Sequence, residues 1–223
     1  MKAAALAPES ILLPGDYETY SWVSRTFKAA VAEITPLIED RGIDEIYVDL
    51  TEESGGSKEL GQRLKDAVRQ ATGLSCSIGI TPNKLLSKIA SELEKPDGLT
   101  ILGMEDIPSR IWPLPCPAIN GIGPKATAKL ERLAIRTIGE LAQADPDMLI
   151  AQFGRSYGAW LHEAAQGRDE RLLTISREPK SISRETTFER DLHPKRDRGE
   201  LTRTLLNLCE RVTQNLARKG YLA

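Results

Sequence analysis

Residues 42–51 read GIDEIYVDLT. Apolar side chains alternate at Ile46, Val48 and Leu50, the period of a half-buried β-strand. The strand is entered through Gly42 and two adjacent acids, Asp44 and Glu45. Neighbours in a regular strand point to opposite faces, so these carboxylates can share a ligand only where the pleat is broken, as at a hairpin end. Gly42 permits such a turn. An adjacent acid pair beside a buried strand suits Mg²⁺, which takes one or two carboxylates and completes its shell with waters and phosphate oxygens. The same two acids also read as ordinary polar turn residues, and Asp49 as a structural or outer acid.

Outward from this stretch, the pattern alternates strands and helices. Ile11, Leu12 and Leu13 before Pro14-Gly15 predict a short strand, and Tyr20, Val23, Phe27, Val31 and Ile34 predict a helix over 17–38. After a polar loop at 52–57, the spacing predicts a helix over 58–71, a strand over 75–80, a helix over 82–94 and a strand over 99–102. That order implies an α/β unit, a sheet covered by helices. Pro108, Pro113, Pro115 and Pro117 then mark a domain boundary. Helical segments at 124–134, 137–143, 146–152 and 156–166 make a small all-α unit. Residues 167–180 read as a polar tether, 181–190 as a strand and 197–218 as a long basic helix.

With 223 residues, 40% of them hydrophobic and 28% charged, the chain has the composition of a one- or two-domain globule. No apolar stretch is long enough for a membrane span, and the first residues lack a signal-peptide layout. Cys76, Cys116 and Cys209 are widely spaced with no CxxC, which argues against a disulfide framework or thiolate zinc and fits a reducing cytoplasm. Having only His162 and His193 argues against a multi-histidine metal site or a histidine-based triad, and points any metal chemistry to carboxylates. The net charge of −2 is unevenly spread: residues 1–60 carry 5 basic and 12 acidic side chains, residues 110–136 carry 5 and 1, and residues 177–223 carry 11 and 7. An acidic first part with two basic patches could hold a divalent metal in one place and a polyanion in others, or could simply be solvated faces.

Two further stretches bear on chemistry. Residues 83–96, NKLLSKIASELEKP, place Lys84, Lys88, Ser91 and Lys95 on one helical face and Leu85, Ile89 and Leu93 on the other. A lysine stripe on a helix docked to a sheet is either a phosphate grip or a solvated face. Residues 119–125, INGIGPK, set Gly121 and Gly123 around one apolar residue before a proline that opens a helix. The backbone N–H groups of such a loop attract phosphate, as in a helix-hairpin-helix element, with Lys125 and Lys129 adding charge. A plain turn between helices is the other reading.

Taken in order, GIDEIYVDLT, SIGITPNKLLSKIASELEKPDGLTIL, INGIGPKATAKLERLAIRTIGEL and KSISRETTF resemble the palm, thumb and little-finger motifs of Y-family translesion DNA polymerases of the DinB, or DNA polymerase IV, type. The resemblance covers nearly the whole chain. It implies a palm over 1–102, a helical thumb with a helix-hairpin-helix over 103–166, a linker over 167–180 and a partial α+β little finger over 181–223. It implies an error-prone, template-directed nucleotidyl transfer with two Mg²⁺ ions, for which Mn²⁺ can substitute, on primed template DNA and deoxynucleoside triphosphates. Asp44 would bind both ions, with Glu45 the second acid near the primer 3′-hydroxyl. Lys95 would hold the incoming triphosphate and Lys88 would lie near the same site. Gly121, Gly123 and Lys125 would grip DNA phosphates, and the strand carrying Arg184 would follow the template backbone. The family's first catalytic Asp, steric gate, fingers and C-terminal clamp-binding peptide have no counterpart among these residues. The alternative expectation is therefore an inactive DNA-binding remnant or regulator. A cytoplasmic monomer without membrane attachment completes the reading.

Overall fold

The computed structural model describes residues 5–175 and 180–221, and the chain divides into two units, residues 1–175 and 176–223. Helix α1 (Tyr17–Ala32) is capped by Asp16, whose carboxylate accepts the Thr19 N–H at 3.1 Å. It stops short of the residue 38 that periodicity alone predicts. Pro36 disfavours helical geometry at Thr35, and the fully buried Thr35 donates its hydroxyl to the Asp49 carbonyl at 3.0 Å instead. That bond leads the chain into a strand missing from the sequence reading: β1 (Ile38–Asp40) pairs antiparallel with β2 (Ile46–Val48), setting Glu39 opposite Tyr47. The strand expected over 42–51 thus contracts to three residues, and residues 41–45 become the hairpin connection.

Helix α2 (Ser57–Thr72), β3 (Ile78–Ile80), α3 (Lys84–Leu93) and β4 (Leu99–Ile101) follow in the expected order. β3 and β4 are parallel, joined through α3. At Gly79 in β3 a Cβ would stand 2.4 Å from the Ser87 carbonyl oxygen, so the glycine is what lets α3 lie directly on the strand backbone. Among the described residues the strands form two separate two-stranded sheets rather than one. The strand expected at Ile11, Leu12 and Leu13 does not form. These side chains are exposed, and among the described residues no neighbouring strand takes up the backbone N–H and C=O groups.

The proline-rich stretch forms short 3₁₀ and π turns and leads to α4 (Pro124–Arg132), α5 (Ile138–Gln143), α6 (Pro146–Phe153) and α7 (Arg155–Ala165). Thr137 and Glu140 start α5 with a reciprocal capping box. In the second unit, α8 (Arg198–Arg218) forms as expected, whereas residues 181–190 hold no strand. A single strand has no pairing partner among the described residues, so the α+β expectation for this region keeps only its helix. Residues 1–4, 222 and 223, and residues 176–179 of the expected linker, lie outside the described residues. No described helix is long and apolar enough to cross a membrane.

The first unit has two cores. Val31, Leu64 and Val68, with Phe27, Ile38, Ile46 and Val48, pack α1 and α2 against the β1–β2 hairpin. The larger core joins Leu85, Leu86 and Ile89 of α3 to Ile111, Ile119, Leu130, Ile138, Leu149 and Leu161, and so runs across residue 102 without a break. Helix α3 belongs to the second core by its apolar face and to the hairpin by its lysines. Lys84 Nζ donates to Glu39 Oε2 at 2.8 Å and to the Leu172 carbonyl at 2.7 Å, and Glu39 Oε2 also accepts the Thr174 N–H at 2.9 Å. Asp169 accepts the Leu85 N–H at 3.0 Å and Asn83 donates to the Gly167 carbonyl at 2.8 Å. The segment after α7 is thereby strapped across the start of α3.

The Glu39 and Lys84 side chains are 2% and 10% exposed, so removing one partner strands the other charge. Lys84→Met is expected to lower the urea-derived unfolding free energy by about 3–5 kcal/mol, with Glu39→Gln in the same chain restoring most of it. Burial pushes the Glu39 carboxyl up, but hydrogen bonds from Lys84 and Thr174 and the charges of Lys84 and Arg41 hold it below its ordinary value. A depressed folded value gives stability that is complete above the ordinary glutamate value of about 4.3 and is lost as pH falls through the folded value. Urea unfolding followed from about pH 6 to about pH 3 should therefore lose more stability in the wild type than in Glu39→Gln.

Candidate nucleotide and nucleic-acid site

The hairpin turn breaks the pleat at the two acids. Arg41 N–H bonds the Glu45 carbonyl at 3.0 Å and Gly42 N–H bonds Asp40 Oδ1 at 3.0 Å. From α1, Lys28 Nζ reaches Asp40 Oδ2 at 2.8 Å and the Gly42 carbonyl at 2.5 Å, fixing the turn from outside. Asp44 is exposed and has no hydrogen-bond or ion-pair partner among the described residues. Glu45 is half-buried, and its Oε2 accepts from Lys88 Nζ at 2.9 Å. No group of three or more Asp, Glu, His or Cys side chains among the described residues is placed to hold a metal. Two neighbouring carboxylates, one of them unpartnered, nevertheless form the partial donor set that Mg²⁺ accepts when phosphate oxygens and waters supply the rest.

Helix α3 carries the lysines. Asn83 caps it, accepting the Leu86 N–H at 3.0 Å, and its apolar face lies in the larger core. Lys84 does not join the expected open lysine stripe, because the pair with Glu39 takes it out of solvent. Lys88 faces Glu45 and also Glu92, whose Oε1 it reaches at 3.3 Å. Lys95, half-exposed beyond the helix end, donates to that same Glu92 oxygen at 2.8 Å. Glu45, Lys88, Glu92 and Lys95 thus form one chain of alternating charge. The hydrogen bond that Lys88 donates to Glu45 raises the Lys88 ammonium above its ordinary value against the opposing effect of burial, and Glu92 adds to the rise. The turn after Lys95 is held by Lys65 and Arg69 of α2, which reach the Asp97 carboxylate at 2.6 and 2.5 Å.

The glycine loop before α4 is anchored by Ile119 and Ile122, both buried. Gly121 has φ +115°, a region that favours glycine, and a Cβ there would meet Trp160 Cη2 at 2.7 Å. Tyr157, stacked on Trp160 with ring centroids 5.2 Å apart, donates its hydroxyl to the Gly121 carbonyl at 2.8 Å. Gly123 precedes Pro124 at the first position of α4 and offers no side-chain cap, leaving the first N–H groups free to meet an anion. Lys125 is exposed and without a partner among the described residues. Lys129 is engaged elsewhere: its ammonium bonds the Gln152 carbonyl and lies 4.9 Å from the Phe153 ring centroid. Its charge is therefore spent on the end of α6. A groove of about 620 Å³ runs between Lys88, Glu92 and Leu93 of α3 and residues 117–123, so the lysine face and the glycine loop border one space.

Arg184, in the second unit, is exposed in irregular chain and, among the described residues, bonds the neighbouring Ser183 carbonyl, at 3.4 Å. Sequence reading missed Glu39, Lys84 and Thr174 as a group because their separation along the chain carries no local signal. It also missed Glu92, although its spacing from Lys88 and Lys95 is that of helical ion pairs and was available in the sequence.

Comparison with known proteins places this geometry in a lineage. The impB/mucB/samB family model matches residues 1–92, the thumb domain of DNA polymerase-iota matches 118–169, and the impB/mucB/samB C-terminal domain matches 179–223. A DNA polymerase IV of Moorella thermoacetica is 36% identical over 230 residues, covering 99% of this chain and 56% of that protein. One of Methanoculleus marisnigri is 38% identical over 217 residues, covering 96% of this chain and 59% of that protein. The chain thus spans little more than half the length of these relatives. Among solved structures, DinB from Sulfolobus solfataricus shares the fold with a TM-score of 0.69 at 24% identity, over 77% of this chain and 52% of that one. A Y-family DNA polymerase chimera of Dbh and Dpo4 gives 0.69 at 25%, over 82% and 53%. In the order of its motifs, in its palm and thumb fold and in its relatives, the chain belongs to the Y-family DNA polymerases of the DNA polymerase IV type.

Proposed function

We propose that this chain serves template-directed, error-prone DNA synthesis past damaged bases, contributing a palm over 1–102, a thumb over 103–166, a linker over 167–180 and little-finger residues over 181–223. The observation that carries this reading is Asp44, without a partner among the described residues, beside Glu45 at a broken pleat, next to a lysine-faced helix whose groove is shared with the glycine loop. Asp44 and Glu45 would hold divalent ions, which supply activation of the primer hydroxyl and neutralisation of triphosphate charge. Lys95 and Lys88 would orient the phosphates of the incoming deoxynucleoside triphosphate. The amides around Gly121 and Gly123, with Lys125, would hold the DNA backbone, contacts that position without reading sequence. Arg184 would add a backbone contact from the second unit. A reducing cytoplasm suits the three free cysteines, and the protein would act there as a monomer.

Primer extension on a primed template with Mg²⁺, and then Mn²⁺, tests the reading. Asp44→Ala is expected to abolish extension while changing DNA affinity less than about twofold, since an exposed residue outside the lysine chain contributes little to binding. Equal extension by wild type and Asp44→Ala would overturn the role of Asp44. DNA binding without extension by the wild type would favour the non-catalytic alternative. Lys125→Ala should weaken binding equally on unrelated sequences and reduce the slope of log affinity against log salt by about 0.9. Lys129→Ala should change the slope less, because its ammonium is already engaged by Gln152 and Phe153.

A further inference from the structure

Glu92 lies one helical turn after Lys88 and three residues before Lys95, and one of its oxygens, Oε1, accepts from both ammonium groups, at 3.3 and 2.8 Å. Two cations converging on a single oxygen is the arrangement a bridging phosphate oxygen would adopt between them. The Lys95 side chain is 53% exposed and has no other hydrogen-bond partner among the described residues, whereas Lys88 keeps a second partner in Glu45. Glu92 and Lys88 also border the groove shared with the glycine loop, so a ligand in that groove meets the carboxylate directly.

We propose that Glu92 is an internal anion occupying a polyphosphate subsite between Lys88 and Lys95, and that it is displaced when a phosphate chain binds. The proposal rests on the reading of Lys88 and Lys95 as nucleotide contacts and assigns the residue that holds them before the nucleotide arrives. Exposed ion pairs are weak, so displacement costs little, yet it requires a ligand that brings more charge than the carboxylate it replaces. A triphosphate meets that condition, and a single monovalent anion does not. On release, Lys88 stays tethered to Glu45 while Lys95 is freed entirely, so Lys95 feels the loss of Glu92 most.

Isothermal titration of inorganic tripolyphosphate into the 223-residue chain at low ionic strength reads this directly, with circular dichroism confirming that each variant is folded. Glu92→Gln keeps the shape and removes the charge, and should bind about two- to five-fold more tightly than wild type. Lys95→Met should weaken binding, and Glu92→Gln on the Lys95→Met background should give little further gain. Weaker binding in Lys95→Met with no gain in Glu92→Gln would overturn the role of Glu92 and leave the lysine reading intact. Unchanged binding in both Lys88→Met and Lys95→Met would overturn the lysine reading and this proposal with it. No measurable binding by wild type or Glu92→Gln would overturn the proposal as well.

Discussion

Lys84 and Glu39 meet at 2.8 Å in a place where neither charge is tolerable alone, and three parts of the first unit are held by that meeting. Glu39 brings the β1–β2 hairpin, Lys84 brings α3, and the Thr174 N–H and Leu172 carbonyl bring the segment that follows α7. Because Lys84 and Lys88 are four residues apart on a helix, fixing Lys84 on Glu39 turns Lys88 toward the same hairpin, where it finds Glu45. The relation of the two acids to the lysine face follows from this one buried pair. The Tyr47 ring, 5.9 Å from the Lys84 ammonium, completes that environment.

Helix α3 works as a plate between two cores. Its apolar face, with Leu85, Leu86 and Ile89 buried, is continuous with the thumb helices, and Gly79 lets its other side rest on the β3 backbone. The glycine loop is seated in the same core through Ile119 and Ile122, so the lysine face and the loop are set by one body of packing. That is a short mechanical path, and it accounts for the groove they share.

Buried and exposed ion pairs have different duties here. The Glu39–Lys84 pair is deep, supported by further hydrogen bonds to Leu172 and Thr174 and costly to break, which suits a frame. The pairs of Glu92 with Lys88 and Lys95 are more exposed and cheap to rearrange. Both kinds pair a lysine with a glutamate, and depth separates them.

Much of this was legible in the sequence. The order of elements from residue 57 to residue 165, the broken pleat at Asp44 and Glu45, the apolar and lysine faces of residues 83–96 and the glycine loop all follow from local periodicity, turn chemistry and capping, which act over a few residues. What failed needed a neighbour. The run at 11–13 and the stretch 181–190 have strand-like composition, but a strand is defined by its partner, and none is present among the described residues. Conversely, β1 exists because β2 is beside it. Lys84, Lys88 and Lys95 look alike in sequence, yet one is buried, one bridges two acids and one is half-exposed, while Lys129 is drawn onto Phe153. Sequence by itself determined which residues share a face. Only the tertiary structure decided which of those faces meet, because burial and partnership of a charge depend on residues up to 135 positions apart in the chain.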